Sequence, residues 1–515
     1  MEQESKADLL YPDQREVHDA IVSYYLDMAT APVFERDPFD REENVEEDVL
    51  GGFFEEPVED TKPDEGPWQK KLLIGYAGTG KTTTVAAIVE TIVKKFKGNV
   101  IISAPTHKAV RVAKNKSNIR DADFVTIQKV LGVKPKKNYH TGEVEYEPDY
   151  NAPVAMSRKT LLIVDEVSMM NTNLFEYLVK AKRHFPVLFV GDSVQIPPVD
   201  SGKKKELSDS AVFIDSIRKE HLIEVHELTQ VRRQAAGNPI IQLATYIRTN
   251  YKRTIPLTNY VDGIKRLNKP ELLSCSQSNE GGGEIDKELI TKWYTSDEYQ
   301  EDLDYCRVVA WRNETVRTYN KSIRTILYGD AAQEQYVEGE RIIFEEPYSV
   351  KEFGRNVFLA LNSEEFEVID VSRSSLTIEI PYVKSNGIKY ENTTIPVFIL
   401  KCKSMDDDDQ KVITVRVPVD REAYKAILED LGKRAKACYD KEGRKELYRY
   451  MFDLQERVAW INYGYAITAH KSQGSTYKKV LVALWDIDKN FRTEEKNRIN
   501  YVAVTRAAET LHVSV

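Results

Sequence analysis

Apolar positions along this chain follow two rhythms, and their succession predicts a strand and helix repeat through the first half. Lys71 to Ile74, Val100 to Ala104, Leu161 to Val164 and Pro186 to Val190 are short, nearly unbroken apolar runs, as expected of strands buried on both faces. Val85, Ile88, Val89, Ile92, Val93 and Phe96 follow the first run at helical spacing. Strands interleaved with helices from 70 to 240 predict an α/β fold built on a doubly wound parallel sheet. A further strand and helix are predicted over Arg307 to Asn320. From about Tyr336 to Val417 the rhythm becomes alternating, in Glu365 to Val371, Leu376 to Ile380 and Val412 to Val417, like the strands of a small barrel. Tyr424, Ile427, Leu428 and Leu431, then Leu447, Met451, Leu454 and Val458, predict two amphipathic helices. Val133 to Tyr146 alternates about a Thr-Gly turn, which predicts a β-hairpin.

At 515 residues the chain exceeds one core and divides into three or four units. No apolar stretch approaches the length of a membrane span and the charged N-terminus lacks a signal-peptide core, so a soluble, cytoplasmic protein without membrane contact is expected. Cys275, Cys306, Cys402 and Cys438 lie far apart, and free thiols without structural zinc are expected. The net charge is −9, but residues 33–66 hold fourteen acidic and three basic residues, a net of −11, which leaves +2 elsewhere. A basic groove in the remainder is therefore permitted. The acidic segment reads as a solvated insertion; the sharper reading is a mimic of nucleic acid or a docking strip for a basic partner.

The chemistry concentrates in Gly75-Tyr-Ala77-Gly78-Thr79-Gly80-Lys81-Thr82-Thr83, which fits G-x-x-x-x-G-K-T between a strand and a helix. Such a loop cradles phosphates with backbone N–H groups at a helix N-terminus, with Lys81 on the β/γ-phosphates and Thr82 on Mg²⁺. The strand ending in Asp165-Glu166 delivers two carboxylates to the same sheet edge: Asp165 for Mg²⁺, Glu166 for the attacking water. ATP and Mg²⁺ are the expected cofactors.

Eight runs in order resemble superfamily 1 helicases, most of all the Dda-like and RecD-like 5′-to-3′ group. They are Gln14 in Tyr-Pro-Asp-Gln-Arg, the 75–82 loop, Ala104-Pro-Thr-His-Lys108, Asp165-Glu166, Gly191-Asp-Ser-Val-Gln195, Leu228-Thr-Gln-Val-Arg-Arg233-Gln, Tyr465-Ala-Ile-Thr-Ala-His470-Lys-Ser-Gln473-Gly-Ser-Thr and Asn500-Tyr-Val-Ala-Val-Thr-Arg506. The resemblance implies that Gln14 reads adenine and that Gln195 couples the γ-phosphate to the DNA site. It makes Arg233 and Arg506 arginine fingers and sets Gln473 in the nucleotide cleft. It places Thr106, His107, Thr126, Thr468, His470 and Ser472 on loops facing single-stranded DNA, although helix capping is the commoner use of Ser and Thr. It makes the hairpin near Tyr139 and His140 the pin that parts a duplex, where a plain surface hairpin is the alternative.

The implied architecture is two RecA-like motor domains with insertions. The first spans 1–230, with the acidic insertion 33–66 and the hairpin at about 132–155; the second spans 231–335 and 461–515. An SH3-like barrel with a helical tower occupies 336–460. The implied function is an ATP-dependent DNA helicase moving 5′ to 3′ in replication, recombination or repair, acting as a monomer on single-stranded and fork DNA, with a single-strand-binding protein as an expected partner. The alternatives are a factor that strips proteins from DNA and an RNA or RNA–DNA helicase.

Overall fold

The computed structural model describes residues 5–30, 70–76, 78–117, 119–137, 144–148, 156–157, 159–180, 185–198, 210–230, 238–257, 271–276, 284–302, 304–352, 355–384, 387–405 and 411–515. Ala77, Tyr139, His140, Arg233 and the acidic segment 33–66 lie outside them.

The first half runs α1 (Pro12–Thr30), β1 (Lys70–Gly75), α2 (Lys81–Glu90), β2 (Asn99–Ala104), α3 (His107–Ser117), β3 (Asp123–Thr126) and α4 (Ile127–Leu131). The predicted hairpin follows as β4 (Val133–Lys137) paired antiparallel with β5 (Val144–Pro148). Strands β6 (Thr160–Val164), β7 (Val187–Gly191) and β8 (Ile223–Leu228) complete a sheet of order β3-β2-β6-β7-β1-β8, each pair parallel. Side chains alternate across the pleat, so Leu72, Leu162 and Phe189 enter one core layer and Leu73, Leu161, Ile163 and Leu188 the other. Burial on both faces explains why these strands read as unbroken apolar runs. Because all the strands point one way, the 75–83 loop, Asp165-Glu166 and the 191–195 turn emerge at one edge.

The chain then forms α5 (Pro239–Asn250), β9 (Leu273–Ser276), α6 (Glu284–Tyr294), β10 (Cys306–Ala310) and α7 (Asn313–Tyr328). Asn238 caps α5, its side chain accepting from the N–H groups of Ile240 and Ile241, and Pro239 occupies the first turn, where its missing N–H costs nothing.

An insertion follows: β11 (Arg341–Phe344), β12 (Tyr348–Glu352), β13 (Arg355–Ala360), β14 (Glu365–Lys384), β15 (Gly387–Ser404), β16 (Val412–Pro418), α8 (Arg421–Ala437), α9 (Lys441–Arg457) and β17 (Ile461–Tyr463). Its described strands form an antiparallel sheet of order β16-β15-β14-β11-β17 and a separate β12-β13 ribbon. The two runs at 365–371 and 376–380 are one 20-residue strand, β14. Ser372, Arg373 and Ser374, which read as a break, are paired with Ile399, Phe398 and Val397 of β15, so the partner strand carries the ladder across them. The inner end of the β14–β15 pair fills the sheet's core with Phe366, Val368 and Leu400. Its outer end, with Ile378 and Ile395, packs on α8 and α9 through Tyr424, Leu431, Leu447 and Leu454. β17 pairs with β11, so residues 461–463 belong to this sheet, and the chain rejoins the second parallel sheet only afterwards.

It does so with β18 (Ala466–Thr468), β19 (Tyr477–Ala483), α10 (Thr493–Val504) and β20 (Ala507–Ser514), giving the parallel order β18-β10-β19-β20-β9. Arg307 of β10 and Arg341 of β11, both buried, share Asp304 and Glu365, with Arg341 Nη2 at 2.9 Å and Arg307 Nη2 at 3.0 Å from Asp304. This network fastens the insertion to the second sheet.

At the far edge of that sheet, Asp286 is fully buried and accepts hydrogen bonds from Ser276 and from Ser514 (2.5 Å), with His512 Nε2 3.2 Å away. Ser274 reaches the other nitrogen of His512 at 2.7 Å. The Ser, His and Asp side chains are in reach of one another but enclosed, which makes the set a polar fastener of α6 to β9 and β20. Burial raises the Asp286 pKa, and the bonds from His512, Ser276 and Ser514 outweigh it, leaving the carboxyl below its ordinary value of 3.8. A depressed carboxyl pKa stabilises the fold above the unfolded value and ceases to do so as pH falls through the folded one. Asp286→Ala is expected to destabilise by about 1–3 kcal/mol at neutral pH in urea titration, with the gap to wild type narrowing below about pH 4.

Candidate active site

The 75–83 loop joins β1 to the N-terminus of α2. Gly78 and Gly80 have φ of 83° and 88°, in the left-handed region that glycine tolerates, and no side chain caps α2. The first N–H groups of α2 therefore remain available to an anion. Lys81 Nζ donates to the carbonyls of Gly75 (2.7 Å) and Tyr76 (3.1 Å), folded back over the loop. The Thr82 and Thr83 side chains lie at the exposed start of α2, and Thr79 is buried beneath, its hydroxyl on Tyr76 O at 3.0 Å.

Gln14, from α1, is buried against this loop. Its amide nitrogen donates to Thr79 O at 3.0 Å and its oxygen accepts from Tyr11 N–H at 3.2 Å. A Cβ on Gly80 would stand 2.1 Å from the Gln14 amide nitrogen, so the glycine also makes room for Gln14. The amide expected to read adenine is thus held on the loop itself.

Asp165 and Glu166 follow β6 at the same edge. Asp165 N–H donates to Ser103 O of β2 at 2.7 Å, and Asp165 Oδ1 accepts from Glu166 N–H at 2.8 Å. Glu166 has φ 51°, a left-handed conformation that a non-glycine residue adopts at a cost of about 1–3 kcal/mol and that concentrates at working sites. After β7, Gln195 is buried, its side-chain oxygen accepting from Ser168 Oγ at 3.2 Å.

The second sheet meets this edge directly. Val194 and Ile196 of the turn after β7 are buried within the second sheet's core, beside Ile240, Leu243 and Ile247 of α5. Arg498 Nη1 of α10 donates to Ser193 O (2.9 Å) and Gln195 O (3.1 Å), and Gln473 Nε2 donates to Ile196 O (2.9 Å). Gln473, expected in the nucleotide cleft, thus spends its amide on the joint between the sheets. Arg506 is buried with its guanidinium on the carbonyls of Ser475 (2.8 Å), Val502 (2.9 Å) and Ser472 (3.3 Å). Burial pulls its pKa below the ordinary value, and the Glu166 carboxylate is the leading charge that opposes the shift. Arg506 thus holds the 472–475 turn, whose Gln473 reaches Ile196 of the first sheet's 191–196 turn.

The residues expected to face a strand differ in exposure. Thr106 follows β2 and exposed His107 opens α3, although Thr106 Oγ1 also accepts from Ala109 N–H at 3.2 Å. His470 is half-buried, and burial lowers its pKa, which leaves a neutral imidazole at pH 7. Thr126, Thr468 and Ser472 depart from expectation. Thr126 is buried and caps α4 through Lys129 N–H; Thr468 is buried and accepts from Lys471 N–H at 3.3 Å; Ser472 is fully buried and donates to Ala469 O at 2.8 Å. Each hydroxyl satisfies backbone groups of its own turn, which is what short polar side chains do when their loop folds inward.

Four functional candidates escaped the sequence pattern. Tyr76, Asp192, Arg248 and Tyr501 meet in the seam; Tyr76, Asp192 and Tyr501 lie inside the 75–82, 191–195 and 500–506 runs but carry no role there, and Arg248 lies outside every run.

A family model described as an AAA domain matches residues 65–269, and one described as a UvrD-like helicase C-terminal domain matches 463–514. The ATP-dependent DNA helicase dda of Enterobacteria phage T4 is 25% identical over 442 residues, covering 84% of this chain and 91% of that protein. An uncharacterized protein of Acanthamoeba polyphaga mimivirus is 23% identical over 508 residues, covering 85% and 94%. The ATP-dependent RecD2 DNA helicase of Deinococcus radiodurans is 38% identical over 175 residues, 34% of this chain and 21% of that protein. Two parallel sheets thus share one seam. The chain is similar to superfamily 1 helicases of the Dda and RecD kind.

Proposed function

We propose that the protein is an ATP-dependent DNA helicase that translocates 5′ to 3′ on single-stranded DNA and unwinds forks. The observation that carries this reading is the seam, where the sheet bearing a phosphate-binding loop and an acid pair is joined through Arg498 and Gln473 to the sheet bearing buried Arg506. The uncapped start of α2, with positive φ at Gly78 and Gly80, fits an anion such as a nucleotide triphosphate. Thr82 and Asp165 would hold Mg²⁺, which when bound neutralises charge between the phosphates. Lys81 would exchange its carbonyl partners for phosphate, Glu166 would accept the proton of the attacking water, and Arg506 would face the transferred group. Gln195, between Ser168 and the second sheet, would report that state to the strand. Thr106, His107 and His470 are the side chains best placed to meet the strand.

ATP turnover with and without single-stranded DNA tests this reading, together with unwinding of forks carrying only a 5′ or only a 3′ tail. DNA-stimulated turnover with unwinding of the 5′-tailed fork is expected; stimulation by RNA instead, or unwinding of the 3′-tailed fork alone, would replace the reading. We assign strand separation to the β4–β5 hairpin. Replacing both Tyr139 and His140 by Ala is expected to abolish unwinding while sparing DNA-stimulated turnover, and unwinding that survives places the wedge elsewhere.

A further inference from the structure

We infer that Arg248 is a positioning residue that transmits the state of the 75–83 loop to the second lobe, by clasping Tyr76 on one side and Asp192 on the other. This rests on the reading of that loop as the nucleotide site.

Arg248 projects from the last turn of α5, in the second lobe, yet both its partners belong to the first. Its guanidinium carbon lies 3.8 Å from the centre of the Tyr76 ring, close enough for stacking, and its Nη1 is ion-paired with Asp192 Oδ1. Asp192 is 1% exposed and also accepts from Tyr501 Oη of α10 at 2.6 Å. A buried charge pair is a poor way to gain stability, because desolvation offsets most of the attraction, and its better-attested use is to fix one arrangement. Here it fixes the order loop, arginine, turn, helix.

The position of Tyr76 gives that order a purpose. Its carbonyl accepts from Thr79 N–H (3.3 Å), Thr79 Oγ1 (3.0 Å) and Lys81 Nζ (3.1 Å). When Lys81 turns to a phosphate, one of those three donors leaves and the Tyr76 peptide is released to shift. Its ring carries Arg248 with it. Arg248 in turn pulls on Asp192, whose Oδ1 holds Val194 N–H at 3.1 Å and whose carbonyl holds Gln195 N–H at 3.2 Å. The turn bearing Gln195 and the helix leading to Arg506 therefore both take their position from one guanidinium. A lysine keeps the charge for Asp192 but lacks the planar face that stacks on tyrosine, so it separates the two contacts.

The test uses the full chain with Arg248→Lys, Tyr76→Leu and the double variant, and reads KM for ATP, kcat with single-stranded DNA, and base pairs unwound per ATP. Each single variant is expected to keep KM within about threefold and to lose about tenfold in DNA-stimulated kcat, with fewer base pairs opened per ATP. The double variant is expected to be no worse than the poorer single one, since both break the same link. Losses that multiply in the double variant, or a kcat that stays at the wild-type level in either single variant while only thermal stability falls, overturn the inference. Wild-type turnover that is indifferent to Lys81→Ala overturns instead the nucleotide reading on which it rests.

Discussion

Lys81→Ala is expected to reduce ATP turnover by about a thousandfold, with the fold intact. Lys81 is the one cation of the 75–83 loop, and its two hydrogen bonds, to the carbonyls of Gly75 and Tyr76, stay within that loop. Losing them removes two part-buried hydrogen bonds within a single loop, a small change in stability. Losing the charge is different. Developing negative charge on a transferred phosphoryl group in a water-poor seam depends on preorganised cations, and removing one such group typically costs about 10²–10³ in kcat. Steady-state turnover saturated with single-stranded DNA measures the effect, and melting curves of the two proteins should superimpose. A variant that hydrolyses ATP at the wild-type rate would show that the active site lies elsewhere, whatever the family.

Arg506→Ala is the second large effect, and it has two separable parts. On the proposed function, Arg506 is a finger from the second lobe that would add its charge to the reacting phosphoryl group, and such fingers are worth about 10³–10⁵ in kcat. The same side chain satisfies three carbonyls, those of Ser472, Ser475 and Val502, in a place 6% exposed to solvent. Truncation strands them, at a cost of about 1–3 kcal/mol in urea titration. Arg506→Lys keeps a cation but cannot span three acceptors in one plane. It should recover part of the stability while leaving turnover at least about a hundredfold down, because the finger acts by geometry as well as charge. Full turnover in Arg506→Lys would reduce Arg506 to a structural tie.

Local pattern was enough for the 75–83 loop: an apolar strand, two glycines at φ 83° and 88°, then a helix, all within one stretch of chain. It was enough for Asp165 and Glu166 as well, since residues that end a buried parallel strand emerge at the sheet's C-terminal edge. Pattern failed where a neighbour decided. Ser372 to Ser374 read as a break and became mid-strand because β15 supplied partners. Ser472 and Thr468 read as strand-facing hydroxyls and turned inward because their own turn needed acceptors and donors. The bond of Gln14 to Thr79 O, 65 positions away, likewise came from a neighbour distant in the chain.

By itself, then, the sequence determined which segments bury apolar surface with a period of two or three to four residues, and so where strands, helices and the phosphate loop form, because those choices are made between residues near in the chain. Only the tertiary structure decided that Arg248, an arginine outside every motif in an amphipathic helix, would lie on Tyr76 and Asp192, 172 and 56 positions earlier in the chain, and that Arg498 and Gln473 would reach the carbonyls of Ser193, Gln195 and Ile196. Those pairings depend on how two independently formed sheets abut, and the free energy that selects them comes from the burial of Val194 and Ile196 in the other lobe's core, not from any pattern along the chain.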